Sequence, residues 1–418
     1  MRAVVFEGKA FQVVVRDVPK ARIIHQTDAV IRITTAAICG SDLHIYHGVL
    51  GGSDVPYSLG HEAIGIIEEV GSEVTRFKIG DRVLIPGSPN PDELSVEPEL
   101  SPNFTAYGIG DTSGDLGGCQ GRQSILNPTP LIETGTVGEL MFEYFTTAEY
   151  VRVPNADASL VEIDNPELDD KEYLFMSDIL ATAWAGLDFA GFQAGDTVVV
   201  FGAGPVGLMT VYSAFLRGAA KVYAVDHVKR RLDTAASMGA IPIDFTKGEP
   251  SSQILEKEPG GVKRCVDCVG EECLNEKLRP QQNYVITQAL KCVCYRGGIG
   301  VLGVYYAVPS GPGVPRGDTI SPEIPFPMTL LWSKGVTIRA GAVPVLDYQE
   351  ILFQLIKAGR ARPGFIVTGV YNIEDAPKAY ERFDKKLETK VLFQFPPKGH
   401  ESGGGEANTS EEATDLHG

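Results

Sequence analysis

Basic residues are scarce in this chain of 418 residues, in which Lys and Arg number 37 against 54 Asp and Glu, for a formal net charge of −17. An acidic surface repels the phosphate backbone of nucleic acids, and no basic stripe in the sequence offsets that repulsion. We therefore expect a protein that does not bind nucleic acid.

Long apolar runs are lacking as well. No stretch is long enough to span a bilayer, and the opening segment MRAVVFEGKAFQVVV lacks the continuous apolar core and small-residue cleavage site of a signal peptide. These features predict a cytoplasmic protein that does not act at a membrane. In that compartment the seven cysteines are expected to be thiols or metal ligands rather than a disulfide framework.

The pattern of elements divides the chain into two main parts. A chain of this length exceeds one comfortable hydrophobic core, so two domains are expected. The first eighty residues or so read as short strands broken by glycine turns, which is typical of a compact β-barrel. From about Ser177 buried strands alternate with helices, which predicts βαβ units and an α/β fold class with a parallel sheet.

Two segments differ from both parts. Residues 84–147 are rich in proline and acidic residues and show little periodicity, so we expect a long surface excursion. Residues 397–418 are rich in Gly, Ser and Glu and are expected to be disordered.

A glycine-rich turn follows one of the predicted buried strands. TVVVFGAGPVG places Gly202, Gly204 and Gly207 as G-x-G-x-x-G between a strand and a helix. The first glycine allows the tight bend, the second lets a pyrophosphate approach and the third permits close packing, while the helix amides face the phosphates. Asp226 closes the next strand, KVYAVD, where a carboxylate binds the adenosine ribose hydroxyls and repels a 2′-phosphate. The turn predicts a dinucleotide site that favours NAD(H) over NADP(H).

Metal-ligating residue types cluster near the N-terminus. AAICGSDLHIYHG contains Cys39, and LGHEAIG adds His61 and Glu62. A thiolate and an imidazole suit zinc, although Cys39 and His61 are also common as core residues. Asp178 in MSDILATAWAG is a candidate third ligand, but an Asp before an apolar helix is equally typical of an N-cap. Spacing alone therefore leaves the third ligand open.

Several motifs occur together in the order seen in one known family. They are Cys39–His44, Gly60–Glu62, Gly80–Val83, Ala148–Pro154 and Gly202–Gly207. In this order the chain resembles the zinc-dependent medium-chain alcohol dehydrogenase superfamily from residue 1 to about 396. MSDILAT and IEDAPKAYERFDKK resemble in particular its glutathione-independent, formaldehyde-dehydrogenase-like branch, in which an Asp replaces the second Cys of the catalytic zinc.

The resemblance implies a fold and a domain organisation. It predicts a GroES-like β-barrel catalytic domain and a Rossmann domain with a doubly wound parallel sheet. The expected boundaries are residues 1–178 and 342–396 for the catalytic domain, with 84–147 as an atypical insert, 179–341 for the Rossmann domain and 397–418 for the tail.

The resemblance also implies a metal site. Cys39, His61 and Asp178 would hold one catalytic zinc, which leaves a fourth position for water or substrate. Asp42 would orient the ligating His61, and Glu62 would lie near enough to exchange with the open position.

The implied proton path and cofactor contacts follow the same family pattern. Ser41 would take the proton of the substrate hydroxyl and pass it through the nicotinamide ribose to His44, whose side chain titrates near working pH. The residues expected near the cofactor, besides the three glycines, are Thr182, Val206 and Val304 at the nicotinamide, and Arg231 with Asp226 at the adenosine ribose. The family assigns no role to His47, which we interpret as structural or on the surface.

The chain departs from the family pattern in two places. Relatives commonly carry a four-cysteine structural zinc after GDRV, whereas this region holds only Cys119, so we expect no structural zinc. Residues 121–147 are expected to pack in its place against the catalytic domain or a neighbouring subunit. Ala185 stands where the formaldehyde-type relatives tend to have a His, which argues against formaldehyde itself as the substrate.

The cysteine pairs CVDC and KCVC could suggest a second metal site. Cys265 and Cys268 lie three apart in a predicted strand, where successive side chains point to opposite faces. We therefore expect them to diverge and to bind no metal.

These observations lead to three hypotheses for the function. The first is a zinc-dependent oxidoreductase that transfers a hydride between NAD(H) and an alcohol, aldehyde or ketone, acting on a small molecule as a homodimer or homotetramer. The second is an NAD(P)H-dependent reductase of an activated C=C or iminium bond. The third is a non-catalytic NAD-binding scaffold, which would not need the set Cys39, Ser41, His44, His61 and Asp178.

Overall fold

The computed structural model describes residues 1–52, 55–87 and 146–397, which form three β-sheets with flanking helices. The segments expected as an insert and as a tail therefore lie almost wholly outside the described residues, as does Cys119. No helix within those ranges combines the length and the apolar character needed to cross a membrane.

The strands and helices are numbered in chain order. The strands are β1 Arg2–Phe6, β2 Val14–Asp17, β3 Ala29–Ile38, β4 Tyr57–Ser58, β5 Ala63–Val70, β6 Arg82–Ile85, β7 Tyr150–Val153, β8 Val161–Glu162, β9 Thr197–Phe201, β10 Lys221–Asp226, β11 Ile241–Asp244, β12 Val262–Asp267, β13 Val293–Val301, β14 Thr337–Ala340, β15 Gly369–Tyr371 and β16 Val391–Gln394. The helices are α1 Gly40–Tyr46, α2 Ala156–Ser159, α3 Asp170–Tyr173, α4 Ile179–Phe189, α5 Pro205–Leu216, α6 Lys229–Ser237, α7 Pro250–Leu255, α8 Tyr284–Cys292, α9 Met328–Lys334, α10 Gln349–Lys357 and α11 Ala376–Asp384.

The N-terminal part forms two sheets. One has the order β2-β1-β4, and the other has the order β15-β16-β3-β5-β6-β8 with β7 paired to β3. Their apolar residues share one buried cluster that includes Ile31, Phe77 and Phe393. The prediction of a β-barrel-like module from short strands and glycine turns is confirmed.

Strand β6 spans the expected start of the insert. It ends at Ile85, two residues into the segment 84–147, because Leu84 pairs with Val161 and Ile85 with Ala63. Residues 84 and 85 thus belong to the ladder of this sheet, and the limits of the insert stay a prediction.

The C-terminal part returns to the first domain. Strand β16 pairs antiparallel with β3, and its register sets Val391 opposite Ile38. This pairing brings Lys390 next to Cys39, although the two residues are far apart in sequence.

The third sheet is parallel and has the order β11-β10-β9-β12-β13-β14. The order reverses between β9 and β12, and ligands of doubly wound sheets bind outside the carboxyl ends of the strands at such a point. Gly202 and Asp226 lie at the ends of β9 and β10. The alternation of strands and helices therefore predicted this sheet correctly.

Candidate metal centre and nucleotide cleft

One group of side chains has the make-up of a metal centre. Cys39, His61 and Asp178 offer a sulfur, a ring nitrogen and a carboxylate oxygen that all lie within 4.8 Å of one another. It is the one such group within residues 1–52, 55–87 and 146–397. The three predicted ligands are thus brought together from positions 22 and 139 residues beyond Cys39.

Local structure determines the position of each of these side chains. Cys39 occupies the N-cap of α1 directly after β3, His61 lies between β4 and β5, and Asp178 lies between a 3₁₀ turn and α4. Although Asp178 is at the N-cap position of α4, its side chain makes no capping hydrogen bond. The capping interpretation of Asp178 is therefore wrong for this side chain.

The Asp178 carboxylate instead faces the other two candidate ligands. Its Oδ2 lies 3.1 Å from the Cys39 Sγ and 3.3 Å from the His61 Nε2. Its Oδ1 accepts a hydrogen bond of 2.8 Å from the Thr182 hydroxyl, one turn along α4. Thr182, predicted as a cofactor neighbour, thus also holds the carboxylate in place.

Asp42 connects helix α1 to the histidine. Its Oδ2 accepts the Cys39 N–H at 2.8 Å, and its Oδ1 lies 3.2 Å from the His61 Nδ1. The buried carboxylate favours a proton on Nδ1, which leaves the His61 Nε2 as the lone-pair atom that faces Asp178. The predicted contact between Asp42 and His61 is present.

The charges in the cluster favour a cation. Burial raises the pKa of the Cys39 thiol, and the negative charge of Asp178 raises it further. Burial also opposes ionisation of Asp178, yet its hydrogen bond with His61 and the charge of that ring lower the pKa of the carboxyl. Because a thiolate beside a carboxylate requires a neighbouring positive charge, a dication fits this donor set, and the mixture of S, N and O ligands suits zinc.

Glu62, next to His61 in the chain, is paired with a lysine. Its fully buried carboxylate is paired with the equally buried Lys390, whose ammonium group also donates to the Ile38 carbonyl at 2.9 Å. Glu62 does not line the cleft described next.

A cleft of about 910 Å³ connects the candidate metal ligands with the glycine-rich turn. The predicted site residues that line it are Cys39, Ser41, His44, His61, Asp178, Thr182, Gly202, Gly204, Val206, Asp226, Arg231 and Val304. Gly207 and Glu62 are the predicted residues that do not line it. The Ser41 hydroxyl lies 3.1 Å from the His61 Nε2, so it sits at the metal end of this cleft.

The three glycines have distinct structural roles. Gly202 has φ +85°, a conformation that strains other residues, and a Cβ on Gly207 would lie 1.7 Å from the Gly202 carbonyl oxygen. A Cβ on Gly204 would meet nothing nearer than Arg231 at 3.7 Å, so space remains beside its backbone. Gly202 and Gly207 thus build the bend, and Gly204 borders the space that a pyrophosphate would occupy.

Asp226 is fixed at the far end of the cleft. Its carboxylate accepts the backbone N–H groups of Ala203, His227 and Val228 at 2.7–2.9 Å. Arg231 lies 3.9 Å from the same carboxylate. A negative charge is therefore positioned where the second strand of the sheet ends.

A network of histidine and carboxylate side chains at the rim of the cleft was not predicted from the sequence. The Glu272 carboxylate lies 2.6 Å from the His44 Nδ1 and 2.9 Å from the His47 Nδ1, and the His47 Nε2 lies 2.9 Å from Asp384. His47 is thus a structural residue, as interpreted, but its partners are 225 and 337 residues away. No local pattern could have indicated them.

Cys265 and Cys268 point in different directions, as predicted. The Cys265 sulfur faces that of Cys292 at 3.9 Å within the core of the parallel sheet, whereas the Cys268 sulfur lies 3.4 Å from the Thr210 hydroxyl. The two side chains therefore diverge, and neither belongs to the metal-type cluster.

Comparison with known proteins agrees with this architecture. Residues 25–164 match the model of the alcohol dehydrogenase GroES-like domain, and residues 205–358 match that of the zinc-binding dehydrogenases. The uncharacterized zinc-type alcohol dehydrogenase-like protein AdhB of Bacillus subtilis is 32% identical over 95% of this chain and 100% of that protein. The glutathione-independent formaldehyde dehydrogenase of the same organism is 31% identical over 94% of this chain and 96% of that protein.

Solved structures show the same similarity. The alcohol dehydrogenase TADH from Thermus sp. ATN1 has 30% sequence identity and a TM-score of 0.75, and the match covers 94% of this chain and 99% of that one. The chain therefore belongs to the zinc-dependent alcohol dehydrogenases of the medium-chain superfamily, oxidoreductases of alcohols and aldehydes with a GroES-like domain and a Rossmann domain.

Proposed function

We propose that this chain oxidises an alcohol, or reduces the corresponding aldehyde or ketone, with one catalytic zinc and NAD(H). One observation carries the proposal: the Cys39–His61–Asp178 cluster and the Gly202–Gly207 turn border the same cleft. A substrate oxygen near the cluster and a nicotinamide reaching from the turn would meet inside it.

The residues at the metal end of the cleft have distinct roles in this proposal. Cys39, His61 and Asp178 would hold the metal, and Asp42 and Thr182 would orient these ligands through the contacts described above. When bound, zinc would supply Lewis-acid polarisation of the substrate oxygen and NAD(H) the hydride acceptor or donor.

The proton of the alcohol would leave through two side chains. Ser41 would accept it at Oγ, beside the His61 Nε2, and His44 would release it toward the rim of the cleft. Glu62 would reach the metal from outside the cleft, since its ion pair with Lys390 keeps its carboxylate out of the cleft lining.

We also propose the domain limits and the branch. Residues 1–178 and 342–396 would form the catalytic domain and 179–341 the Rossmann domain, which is supported by the return of β15 and β16 to the sheet of β3. Membership of the formaldehyde-dehydrogenase-like branch is supported by Asp178 in the cluster. A cytoplasmic location is supported by the free state of the six cysteines in the described ranges.

A substrate screen tests the function. Purified protein with its zinc content measured is incubated with NAD⁺ and a panel of primary and secondary alcohols, and NADH absorbance is followed. Turnover of at least one alcohol is expected. Oxidation of NADH by enals without alcohol turnover would favour the C=C reductase, and binding of NAD⁺ without any turnover would favour the scaffold.

Asp226→Ser is expected to weaken the preference for NAD⁺. The carboxylate would lie next to the 2′-phosphate of NADP⁺. The repulsion between these two negative charges is expected to favour NAD⁺ over NADP⁺ roughly 10- to 100-fold. We expect the ratio of kcat/KM for the two cofactors to favour NAD⁺ in the wild type and to fall by about that factor in the variant.

Asp244→Ser provides the matched control for this prediction. Asp244 occupies the same register on the adjacent strand β11 and lies outside the cleft, so the cofactor ratio should stay at the wild-type value. An equal or better kcat/KM with NADP⁺ in the wild type would contradict the proposed preference.

A homodimer or homotetramer is proposed for the assembly. Within the described ranges β14 forms an open edge of the parallel sheet, and the adjacent helix α9 has no buried residue and carries Trp332, which is 81% exposed. Open edges and exposed apolar patches pair readily with a second copy. Sedimentation analysis should find an oligomer that Trp332→Glu weakens, and a monomeric wild type at micromolar concentration would rule the proposal out.

A further inference from the structure

His44 of helix α1 and His47, the C-cap residue of that helix, share a single carboxylate from the other domain. The Glu272 Oε2 lies 2.6 Å from the His44 Nδ1, and its two oxygens lie 2.9 and 3.0 Å from the His47 Nδ1. Glu272 belongs to the loop after β12 of the parallel sheet, whereas both histidines belong to the β-barrel part. The proposed proton exit is therefore completed by a residue from across the cleft.

The loop that carries Glu272 is firmly held. The Asp267 carboxylate accepts the N–H groups of Val269 and Gly270 at 2.9 and 3.1 Å, and the Glu271 N–H donates to the Val304 carbonyl at 2.8 Å. Gly270 has φ +81°, and a Cβ there would lie 2.4 Å from the Val304 oxygen. Glu272 is thus presented by a loop with little freedom to move.

The contact decides which ring nitrogen of His44 can accept a proton. A carboxylate is an acceptor only, so the Nδ1 that faces it must carry hydrogen. In the neutral ring the lone pair then lies on Nε2, the nitrogen left for a proton that arrives from the cleft. An acidic residue fixes a catalytic histidine in the same way in hydrolytic triads, where it also stabilises the imidazolium.

We propose that Glu272 is a positioning residue for His44, fixing its Nδ1–H tautomer so that Nε2 receives the proton released in alcohol oxidation. The inference rests on the proposed function and extends it to a residue outside the metal and cofactor sets. In the step itself the Nε2 lone pair takes one proton, the ring becomes an imidazolium beside the Glu272 carboxylate, and Nε2–H returns the proton to water.

His47 and Asp384 stabilise this arrangement. Burial opposes the charge on His47, but hydrogen bonds with Asp384 and Glu272 outweigh it and raise its pKa to about 9. Burial likewise opposes the charge on Glu272, but hydrogen bonds with His44 and His47 lower its pKa to about 2. Glu272 is therefore ionised at neutral pH, as the assigned tautomer requires.

Other charged and titratable groups surround this network. The charge of Glu272 raises the pKa of Glu271, and that of Asp384 raises the pKa of Tyr46. Lys386 lowers the pKa of Asp384, and Arg316 donates to the His47 carbonyl at 3.0 Å. Because these groups remain in every variant below, differences among the variants report on Glu272 itself.

A double-mutant cycle tests the inference. Glu272→Gln is expected to lower kcat for alcohol oxidation about 10- to 100-fold, with the KM for alcohol and the Kd for NAD⁺ changed less than about threefold. In a His44→Gln background the same change should have no further effect, because Glu272 acts through His44. Independent, multiplicative effects of the two changes would overturn the inference.

Two additional measurements separate positioning from a structural role. Long-range ¹H–¹⁵N spectra of ¹⁵N-histidine-labelled enzyme should show the Nδ1–H tautomer of His44 in the wild type and its loss in Glu272→Gln. The titration of His47 near pH 9 should move to lower pH in that variant. Glu276→Gln, four residues along the loop and outside the cleft, should leave spectra and kcat as in the wild type.

The outcomes distinguish the inference from the proposed function. If no alcohol is oxidised but the His44 tautomer depends on Glu272, the proposed function fails and the positioning contact stands. If the wild type oxidises alcohols and Glu272→Gln keeps both the wild-type kcat and the Nδ1–H tautomer, the positioning role is wrong and the proposed function is unaffected.

Discussion

Asp178→Ala is expected to yield a protein that holds less than about a tenth of a zinc ion per chain and oxidises alcohols at least about 1,000-fold more slowly than the wild type. The carboxylate lies 3.1 Å from the Cys39 Sγ and 3.3 Å from the His61 Nε2, and its loss leaves two ligands where a catalytic zinc uses three. Polarisation of the substrate oxygen contributes several kcal/mol to the transition state, and about 4 kcal/mol corresponds to this factor.

Elemental analysis and steady-state kinetics measure the two effects separately. Asp178→Asn keeps the shape of the side chain and an acceptor for the Thr182 hydroxyl but removes the charge, so its zinc content should fall between those of the alanine variant and the wild type. Asp188→Ala is the matched control, because Asp188 lies on the same helix α4 and pairs with Arg217 instead. It should retain full zinc and activity.

The same analysis decides the number of zinc ions. One zinc per chain is expected in the wild type, since a four-cysteine site cannot be built around Cys119 alone. Two zinc ions per chain would contradict this proposal, and so would an Asp178→Ala variant that retains its zinc.

The sequence predicted best what depends on neighbouring residues. Gly202, Gly204 and Gly207 belong to a turn that is defined within six residues, and Asp226 closes the second strand of the same βαβ unit. Such short-range patterns contain their own physical cause. The parallel sheet follows from the alternation of strands and helices for the same reason, whereas the order of its strands does not.

The role of Asp178 cannot be decided from local sequence patterns. An Asp before an apolar helix satisfies the pattern of an N-cap and that of a ligand equally well, and only the fold decides between them. The structure turns the carboxylate toward Cys39 and His61, leaving the helix uncapped by this side chain. The family resemblance indicated the set that the fold brings together, because it contains information about the fold.

His47, Glu272 and Lys390 could not be found from their surroundings in the chain. His47 meets Glu272 and Asp384 only after the two domains have assembled. Lys390 precedes an apolar strand, and lysine is among the residues least often buried, so nothing in the pattern predicts its position beneath the metal ligands. Long-range contacts between charged groups leave no periodic signal in the sequence.

Lys390→Met is expected to destabilise the catalytic domain by about 3–5 kcal/mol. Lys390 and Glu62 are both fully buried and form an ion pair through the Glu62 Oε2, whereas the Glu62 Oε1 has no hydrogen-bond partner. Removing the lysine leaves a buried carboxylate without its counter-ion, which costs far more than the net contribution of the pair itself. Thermal unfolding of the zinc-loaded protein should show the transition of this domain about 10 °C lower.

A charge-neutral double variant separates this explanation from a simple packing defect. Glu62→Gln combined with Lys390→Met removes both charges and should recover most of the lost stability, since replacing a buried ion pair as a whole is often close to neutral. Lys385→Met serves as the control, because its ion pair with Glu381 on helix α11 is exposed and should contribute less than about 0.5 kcal/mol. If Lys390→Met unfolds within about 2 °C of the wild type, the buried pair does not stabilise the domain. If the double variant is no more stable than Lys390→Met, the lost stability comes from packing around the lysine stem and Phe175. It then does not come from an unpaired charge.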